Sequence, residues 1–238
     1  IMDSLNYSES GKGFPVVFLH GFCETHEVWK AFEEQLAYHF HVLCPDLPGF
    51  GKSKPLKEGF GLEEVAESIH LWLKDLEIEE CILIGHSLGG YVSLAFAEKY
   101  SDMLRGFGLF HSSAFADDEE KKQVRNKTIQ FVQKHAVDKF IEPFVPELFY
   151  RKRRKFLQEE IEKVIQIGIT TPKESLIAYS KAMRDRKERI HVLEEFSRPV
   201  LFIAGDEDKA VPLEKTKAQA FLPKQHEVHI LAQTGHMG

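Results

Sequence analysis

A serine hydroxyl becomes a useful nucleophile at neutral pH only when an imidazole takes its proton and a carboxylate fixes that imidazole's tautomer. One serine stands in a setting suited to this, Ser87 in Gly85-His86-Ser87-Leu88-Gly89. Before it, the apolar run Cys81-Ile82-Leu83-Ile84 reads as a buried parallel strand. After it, Leu88, Tyr91, Val92, Leu94, Ala95 and Phe96 recur at helical spacing up to Tyr100. A strand, a one-residue turn and a helix would force Ser87 into strained backbone angles. Glycines two positions either side remove side chains that would collide there. The hydroxyl would stand above the sheet at a helix N-terminus, whose free N–H groups favour developing negative charge. The same five residues could also make a glycine-rich turn with a capping serine. The flanking strand and helix, and the partners below, favour the nucleophile.

Of the twelve histidines, His236 is the best placed to act as base. It follows the last strand on the glycine-assisted turn Gln233-Thr234-Gly235, at the carboxyl edge where Ser87 also lies. His229 lies inside that strand, and His20 and His86 adjoin motif residues but point elsewhere by strand and turn geometry. For the acid, the loop after Pro199–Ala204 offers Asp206, Glu207 and Asp208, and Asp208 is chosen because it stands further out toward the site. Acyl transfer also needs donors for the oxyanion, one from the residue after the nucleophile and one from an early loop. These are expected to be the backbone N–H groups of Leu88 and of Phe22, in His20-Gly21-Phe22-Cys23. Gly21 would let the main chain approach the substrate closely. His111 and Ser112, at the carboxyl end of the Leu104–Phe110 run, are candidates for the substrate pocket wall, or are simple loop residues.

The elements that must position these groups follow in order. Leu5 to Tyr7 reads as a strand end and Ser8 to Gly13 as a turn, then Val16 to Leu19 as a strand. Val28 to Phe40 is predicted to be an amphipathic helix and His41 to Pro45 a strand. The run Asp46 to Ser53 ends in Gly49-Phe50-Gly51-Lys52-Ser53, which resembles a phosphate loop. That motif needs glycine at position 46, where Asp46 stands, so a turn with Asp46 and Ser53 bonding to backbone suits it better. Leu62 to Leu76 is predicted to be a helix, and Leu104 to Phe110 a strand. From residue 114 to 195 no strand-like run appears, while helical patterns follow one another at Ala116–His135, Val137–Val145, Arg151–Gly168 and Thr171–Arg186. The sheet resumes at Pro199, with a helix from Leu213 to Phe221 and a last strand at His226–Leu231. The chain ends two residues after His236, where a covering helix would be expected, so it reads as truncated; a start at Ile1 suggests the same of the N-terminus.

With 238 residues, 43% of them hydrophobic, the chain can bury a full core as one domain with an insertion, 1–113 and 196–238 forming the core and 114–195 the insertion. A formal net charge of −6 gives no reason to expect a nucleic-acid partner. The one basic cluster, Arg151 to Lys155, reads as a solvated face flanked by Glu159, Glu160 and Glu162. Apolar runs are strand-sized, so neither a membrane span nor a signal peptide is expected. Three cysteines, Cys23, Cys44 and Cys81, fit a reducing, cytoplasmic setting without a disulfide framework. His26-Glu27 lacks a histidine at the spacing a zinc motif needs, since Lys30 stands there, and no metal or other cofactor is expected.

The motifs His20-Gly21, Asp46 to Ser53, Gly85 to Gly89, Gly205 to Asp208 and Gly235-His236 together resemble those of the α/β-hydrolase superfamily. The resemblance runs from about Leu5 to His236, and the chain order Ser87, Asp208, His236 is that of the family. It implies the α/β-hydrolase fold, a mostly parallel sheet flanked by helices, with the helical insertion as a cap. It implies a serine hydrolase acting on small to medium, apolar carboxylic esters through an acyl-enzyme. Serine at 87 argues against the dehalogenases and epoxide hydrolases of the superfamily, which use aspartate. Carbon–carbon bond hydrolases carry a Ser-Gly-Pro-Gly loop where this chain has Gly21-Phe22-Cys23-Glu24, which ranks them, with enol-lactonase-like activity, below esterases. The menaquinone-pathway synthases carry arginine where this chain has Tyr91. A receptor-like protein that binds a ligand with little turnover is the rival from another class, and peroxide-dependent side activity is a further option. Monomer and homodimer both stay open.

Overall fold

The computed structural model describes residues 4–238; Ile1 to Asp3, the start of the expected 1–113 segment, lie outside the described residues. Seven strands form one sheet in the order β1-β3-β2-β4-β5-β6-β7. They are β1 (Tyr7–Ser10), β2 (Pro15–Leu19), β3 (His41–Pro45), β4 (Cys81–His86), β5 (Leu104–Phe110), β6 (Val200–Gly205) and β7 (His226–Leu231). Only β1 runs antiparallel to its neighbour; the other pairings are parallel. Continuous apolar runs such as Cys81–Ile84 belong in a parallel sheet because helices cover both faces.

The helices before the long helical segment are α1 (Lys30–Leu36), α2 (Leu62–Asp75) and α3 (Leu88–Tyr100). On α2, Val65, Ile69, Trp72 and Leu73 form a buried stripe, and Glu64 turns back to accept the Gly61 N–H at 2.7 Å, closing its first turn. Every residue of α3 from Leu88 to Ala97 is buried, so this helix lies inside the main core and not on its surface. Only Ser87 separates β4 from this helix, which fixes Ser87 to the most enclosed helix of the fold.

Strand order decides where a site can form. The chain goes from β2 outward to β3, then crosses back over β2 to β4, so the direction of winding reverses between β2 and β4. Loops leaving the carboxyl ends of two such strands diverge and leave a crevice. The loops that leave here are His20–Cys23 and the Ser87 turn.

Some elements differ from the sequence expectation. Ser8 to Ser10 belong to β1 and not to a turn, because Ser8 and Ser10 both donate at 2.8 Å to the Glu33 carboxylate while their backbones pair with β3. The helix expected at Val28–Phe40 is a 3-10 turn, His26–Trp29, followed by the seven-residue α1. Arg151–Phe156 is a separate 3-10 turn, cut from the next helix at Leu157, whose φ of −113° leaves the helical region.

Between β5 and β6 no strand is present among the described residues. This stretch holds α4 (Glu119–Lys134), α5 (Val137–Phe144), α6 (Gln158–Gly168), α7 (Lys173–Arg184) and α8 (Ile190–Glu195). A second core built from Val132, Ile141, Val145, Phe149, Ile161, Val164 and Leu176 also takes in Cys23, with Phe22 and Met237 packed against it. The last helix departs from this group: Val192, Leu193 and Phe196 join the main core beside α3. After β6 comes α9 (Leu213–Gln219). No helix among the described residues is long and apolar enough to cross a membrane.

The turn after β3 is held by Asp46, 1% exposed. Its carboxylate accepts from the His26 N–H at 2.8 Å, His26 Nδ1 at 2.7 Å, Asn6 Nδ2 at 2.7 Å and the Lys52 N–H at 3.1 Å. Ser53 Oγ donates to the Asp46 carbonyl at 2.7 Å and accepts the Asn6 N–H at 3.0 Å. Burial alone would raise the Asp46 carboxyl, but His26, Asn6 and Lys52 hold it far below the usual range, while the hydrogen bond to Asp46 raises His26. Asp46→Ala orphans these donors and is expected to cost about 2–4 kcal/mol in urea unfolding. The sign with pH follows from the two shifts. Stability from Asp46 is present above its ordinary value of 3.8 and is lost as pH falls through its lowered one; stability from His26 is full below 6.5 and is lost as pH rises through its raised one. The difference between wild type and variant is therefore largest between those limits; a pH-independent difference would refute the pairing.

Candidate active site

Ser87 sits at φ 50° and ψ −112°, a conformation L-residues rarely adopt. A Cβ on Gly85 would strike the Gly89 backbone, and one on Gly89 would strike the carbonyl of Leu19, so both glycines are there for close approach. The Ser87 N–H donates to the Phe110 carbonyl at 3.0 Å, tying the turn to β5. Among the described residues five non-glycine positions have positive φ; Cys23, Ser87, His111 and Gln233 are four of them, and all lie in loops at this edge. Strain concentrated in one place is typical of sites where geometry is imposed by function.

The structure brings Ser87, His236 and Asp208 into one hydrogen-bonded chain. His236 Nδ1 lies 2.9 Å from Asp208 Oδ2, and His236 Nε2 lies 2.8 Å from Ser87 Oγ. A carboxylate can only accept, so Nδ1 carries the proton and Nε2 is left to accept from the Ser87 hydroxyl. Asp208 Oδ1 accepts the N–H groups of Ala210 at 2.8 Å and Val211 at 2.9 Å, which fixes the carboxylate plane. Burial would raise the Asp208 carboxyl, but its electrostatic attraction to the His236 ring and the hydrogen bonds it receives hold it well below the usual carboxylate range. Asp206, the alternative acid, is exposed and accepts the Thr234 N–H at 3.3 Å, bracing the turn before His236.

The backbone N–H groups of Leu88 and Phe22 have no protein acceptor among the described residues, while the Gly21 N–H is taken by Glu24 Oε1 at 2.8 Å. Leu88 is the first residue of α3, where such groups point outward. The loop carrying Phe22 is held from below by His20. The Leu47 N–H donates to His20 Nε2 at 2.9 Å, so His20 Nδ1 carries the proton and donates to the Gly21 carbonyl at 2.8 Å. Burial pushes the His20 ring down in pKa, consistent with this neutral form.

Gly21, Ser112 and His111 each have close protein contacts at this edge. At Gly21 a Cβ would come within 2.7 Å of His86 Nδ1 and 3.0 Å of Glu24 Oε1, so the position needs a glycine for its protein contacts alone. Ser112 is buried and donates at 2.7 Å to the Ser87 carbonyl, behind the turn. His111 is buried too: its Nδ1 accepts the Gly205 N–H at 3.2 Å and lies 3.6 Å from Asp208 Oδ2. Burial pushes His111 down to about 4, so it is a neutral wall behind Asp208.

Sequence reasoning passed over Glu24 and His86, both 3% exposed. His86 Nδ1 lies 3.1 Å from Glu24 Oε1, and His86 Nε2 lies 2.9 Å from the His236 carbonyl. The available signal was an acid three residues after His20-Gly21 together with a histidine next to Ser87; only their depth reveals the pair.

Comparison with known proteins agrees with this fold. A model of the alpha/beta hydrolase fold matches residues 15–238. The chain is 24% identical to Lipase 1 of Psychrobacter immobilis over 254 residues, covering 99% of this chain and 75% of that protein. It is 24% identical over 249 residues to 2-hydroxy-6-oxo-2,4-heptadienoate hydrolase of Pseudomonas putida, covering 97% and 85%. In structure it is similar to a thermophilic esterase from Thermogutta terrifontis, with a TM-score of 0.93, 31% identity, and coverage of 98% of this chain and 86% of that one. With a strand–turn–helix around Ser87 at the reversal point of a mostly parallel sheet, and a family model that spans nearly all of it, the chain belongs to the alpha/beta hydrolase fold family.

Proposed function

We propose that this protein is a serine hydrolase that cleaves carboxylic esters through an acyl-enzyme, with Ser87, His236 and Asp208 as its catalytic residues. The observation that carries the reading is the continuous hydrogen bonding from Asp208 through His236 to Ser87 Oγ. Ser87 Oγ attacks the ester carbonyl carbon as its proton passes to His236 Nε2. The resulting oxyanion is held by the N–H groups of Phe22 and Leu88. Collapse of this intermediate breaks the ester C–O bond, and His236 returns the proton to the leaving alcohol. Water then attacks the acyl-Ser87 ester by the same route, and the acid is released. Asp208, held well below its usual range, stays ionised throughout and stabilises the imidazolium.

The helical segment between β5 and β6 acts as the cap over this site. Its second core reaches the oxyanion loop at Phe22 and Cys23 and the base loop at Met237, and Phe22 and Phe144 pack with ring centroids 6.3 Å apart. An apolar roof of this kind favours small to medium apolar acyl groups and excludes water during acylation. The similarity to an esterase at 31% identity supports ester chemistry over the 2-hydroxy-6-oxo-2,4-heptadienoate hydrolysis named for the Pseudomonas relative.

Stopped-flow hydrolysis of p-nitrophenyl esters from acetyl to decanoyl should give a burst equal to the enzyme concentration. Ser87→Ala and His236→Ala should each lower kcat on the order of 10^6-fold, as dissected triads do. Retention of more than a few per cent of activity in Ser87→Ala would overturn the mechanism, and tight ester binding without turnover would favour a binding protein. Asp208→Asn should lower kcat by about 10^4-fold with little change in folding, because an amide at this position favours the wrong His236 tautomer. A loss under tenfold would remove Asp208 from the reaction.

A further inference from the structure

We propose that Glu24 and His86 form a buried charge pair whose role is to position the catalytic base and the oxyanion loop relative to one another. The inference rests on the serine-hydrolase reading and assigns two positioning residues to it. The His236 carbonyl has no proton to give, so His86 Nε2, 2.9 Å away, is the donor. An ionised Glu24 likewise only accepts, so His86 Nδ1, 3.1 Å away, donates as well. A histidine that donates from both ring nitrogens is an imidazolium. The directions agree: against burial, the charge and hydrogen bond of Glu24 raise His86, and those of His86 lower Glu24.

The pair joins three parts of the site that are far apart in sequence. Glu24 Oε1 also accepts the Gly21 N–H at 2.8 Å, which sets the start of the loop that presents the Phe22 N–H. His86 precedes Ser87 directly. Its other end holds the backbone of His236, whose ring centroid is 5.1 Å from its own. Trp29 and Phe110 pack against the His86 ring at 6.4 Å and 5.8 Å, keeping water out and making the pair stiff. His86 does not compete as the base, since both of its nitrogens are committed. Its effect is on distance and angle, and misplacement of a catalytic group by about 1 Å costs on the order of 10^2-fold in rate.

The test uses purified His86→Gln, Glu24→Gln, Glu24→Asp and the Glu24→Gln/His86→Gln double variant, assayed on the best p-nitrophenyl ester. His86→Gln should lower kcat per titrated active site by about 10^2-fold with KM changed less than about threefold. Glu24→Gln should cost only about tenfold, because a neutral His86 accepting from the new amide still donates from Nε2 to His236. The double variant should be no slower than His86→Gln alone, since both changes break one unit. Where His86→Gln fails to fold, Glu24→Asp decides: it keeps the charge but withdraws the carboxylate by one methylene, and kcat should fall about tenfold or more at constant KM. In proton NMR, the downfield signal of the His236 Nδ1 proton should shift in the slow variants. Wild-type kcat per titrated site in both His86→Gln and Glu24→Asp, with only the melting temperature lowered, would make the pair purely structural and overturn the inference. Ser87→Ala in the same assay separates the two ideas. Activity surviving there sinks the serine mechanism, whereas an inactive Ser87→Ala beside unaffected His86 and Glu24 variants sinks only the positioning role.

Discussion

The backbone of Ser87 is the constraint on which the rest of this site depends. A φ of 50° with ψ −112° in a non-glycine residue costs roughly 1–3 kcal/mol and persists only where the surroundings over-determine it. Here they do. The strand before the turn is paired on both sides, the helix after it is buried along most of its length, and hydrogen bonds from Ser87 to Phe110 and from Ser112 to Ser87 clamp the turn itself. The strain turns the side chain out of the sheet at the reversal point between β2 and β4. A relaxed serine at the same place would cap the helix and offer its hydroxyl to a backbone amide; this one makes no such capping bond and meets His236 instead.

Around that turn one chemical unit is used three times. Asp46 pairs with His26, Glu24 with His86, and Asp208 with His236, and each carboxylate is buried and held below its ordinary pKa or further down. What separates their roles is the partner of the imidazole. In the Asp46 pair the histidine is partly exposed and the carboxylate gathers backbone donors, so the unit holds a turn. In the Glu24 pair the second ring nitrogen faces a carbonyl, which forces it to be a donor. In the Asp208 pair it faces a hydroxyl, which can give a proton, so the second nitrogen is free to be an acceptor. His111 shows the fourth case, a buried ring with no carboxylate closer than 3.6 Å, which stays neutral.

These differences explain what could be read from the sequence. Buried parallel strands are largely apolar runs, so β3 and β5 are legible to the residue; the more polar edge strand β7 is bounded as expected too, and the motif around Ser87 announces α3 at its first position. Asp208 and His236 are legible because chemistry demands an acid and a base at the carboxyl edge and each loop offers few candidates. Glu24 and His86 are not, since a pair 62 residues apart is made by depth and by strand order, neither of which leaves a local pattern. His111 and Ser112 sit at the right edge but face the back of the site, and a loop position alone does not say which way a side chain turns. The break at Leu157 and the short α1 were hidden because helical spacing records a buried face and not where the hydrogen bonding of the helix fails.

The helical segment is bound to the chemistry by more than apolar contact. The N–H groups of His236 and Met237 donate to the carbonyl of Leu148 at 2.8 and 3.2 Å, so the base loop hangs from the 3-10 turn Val145–Leu148. On the opposite side, Tyr179 and Ser175 on α7 donate at 2.6 Å to the carbonyls of Pro48 and Gly49, in the turn organised by Asp46. A rigid displacement of the segment would break both sets of bonds and carry His236 away from Ser87. His236 is thus held from two directions, by Leu148 through its N–H and by His86 through its carbonyl, with Asp208 fixing the ring between them. With its own N–H and its own carbonyl both pinned, His236 keeps only the rotations about its two side-chain bonds. The bond to Asp208 removes those as well, so the Nε2 lone pair is aimed at Ser87 before any substrate arrives.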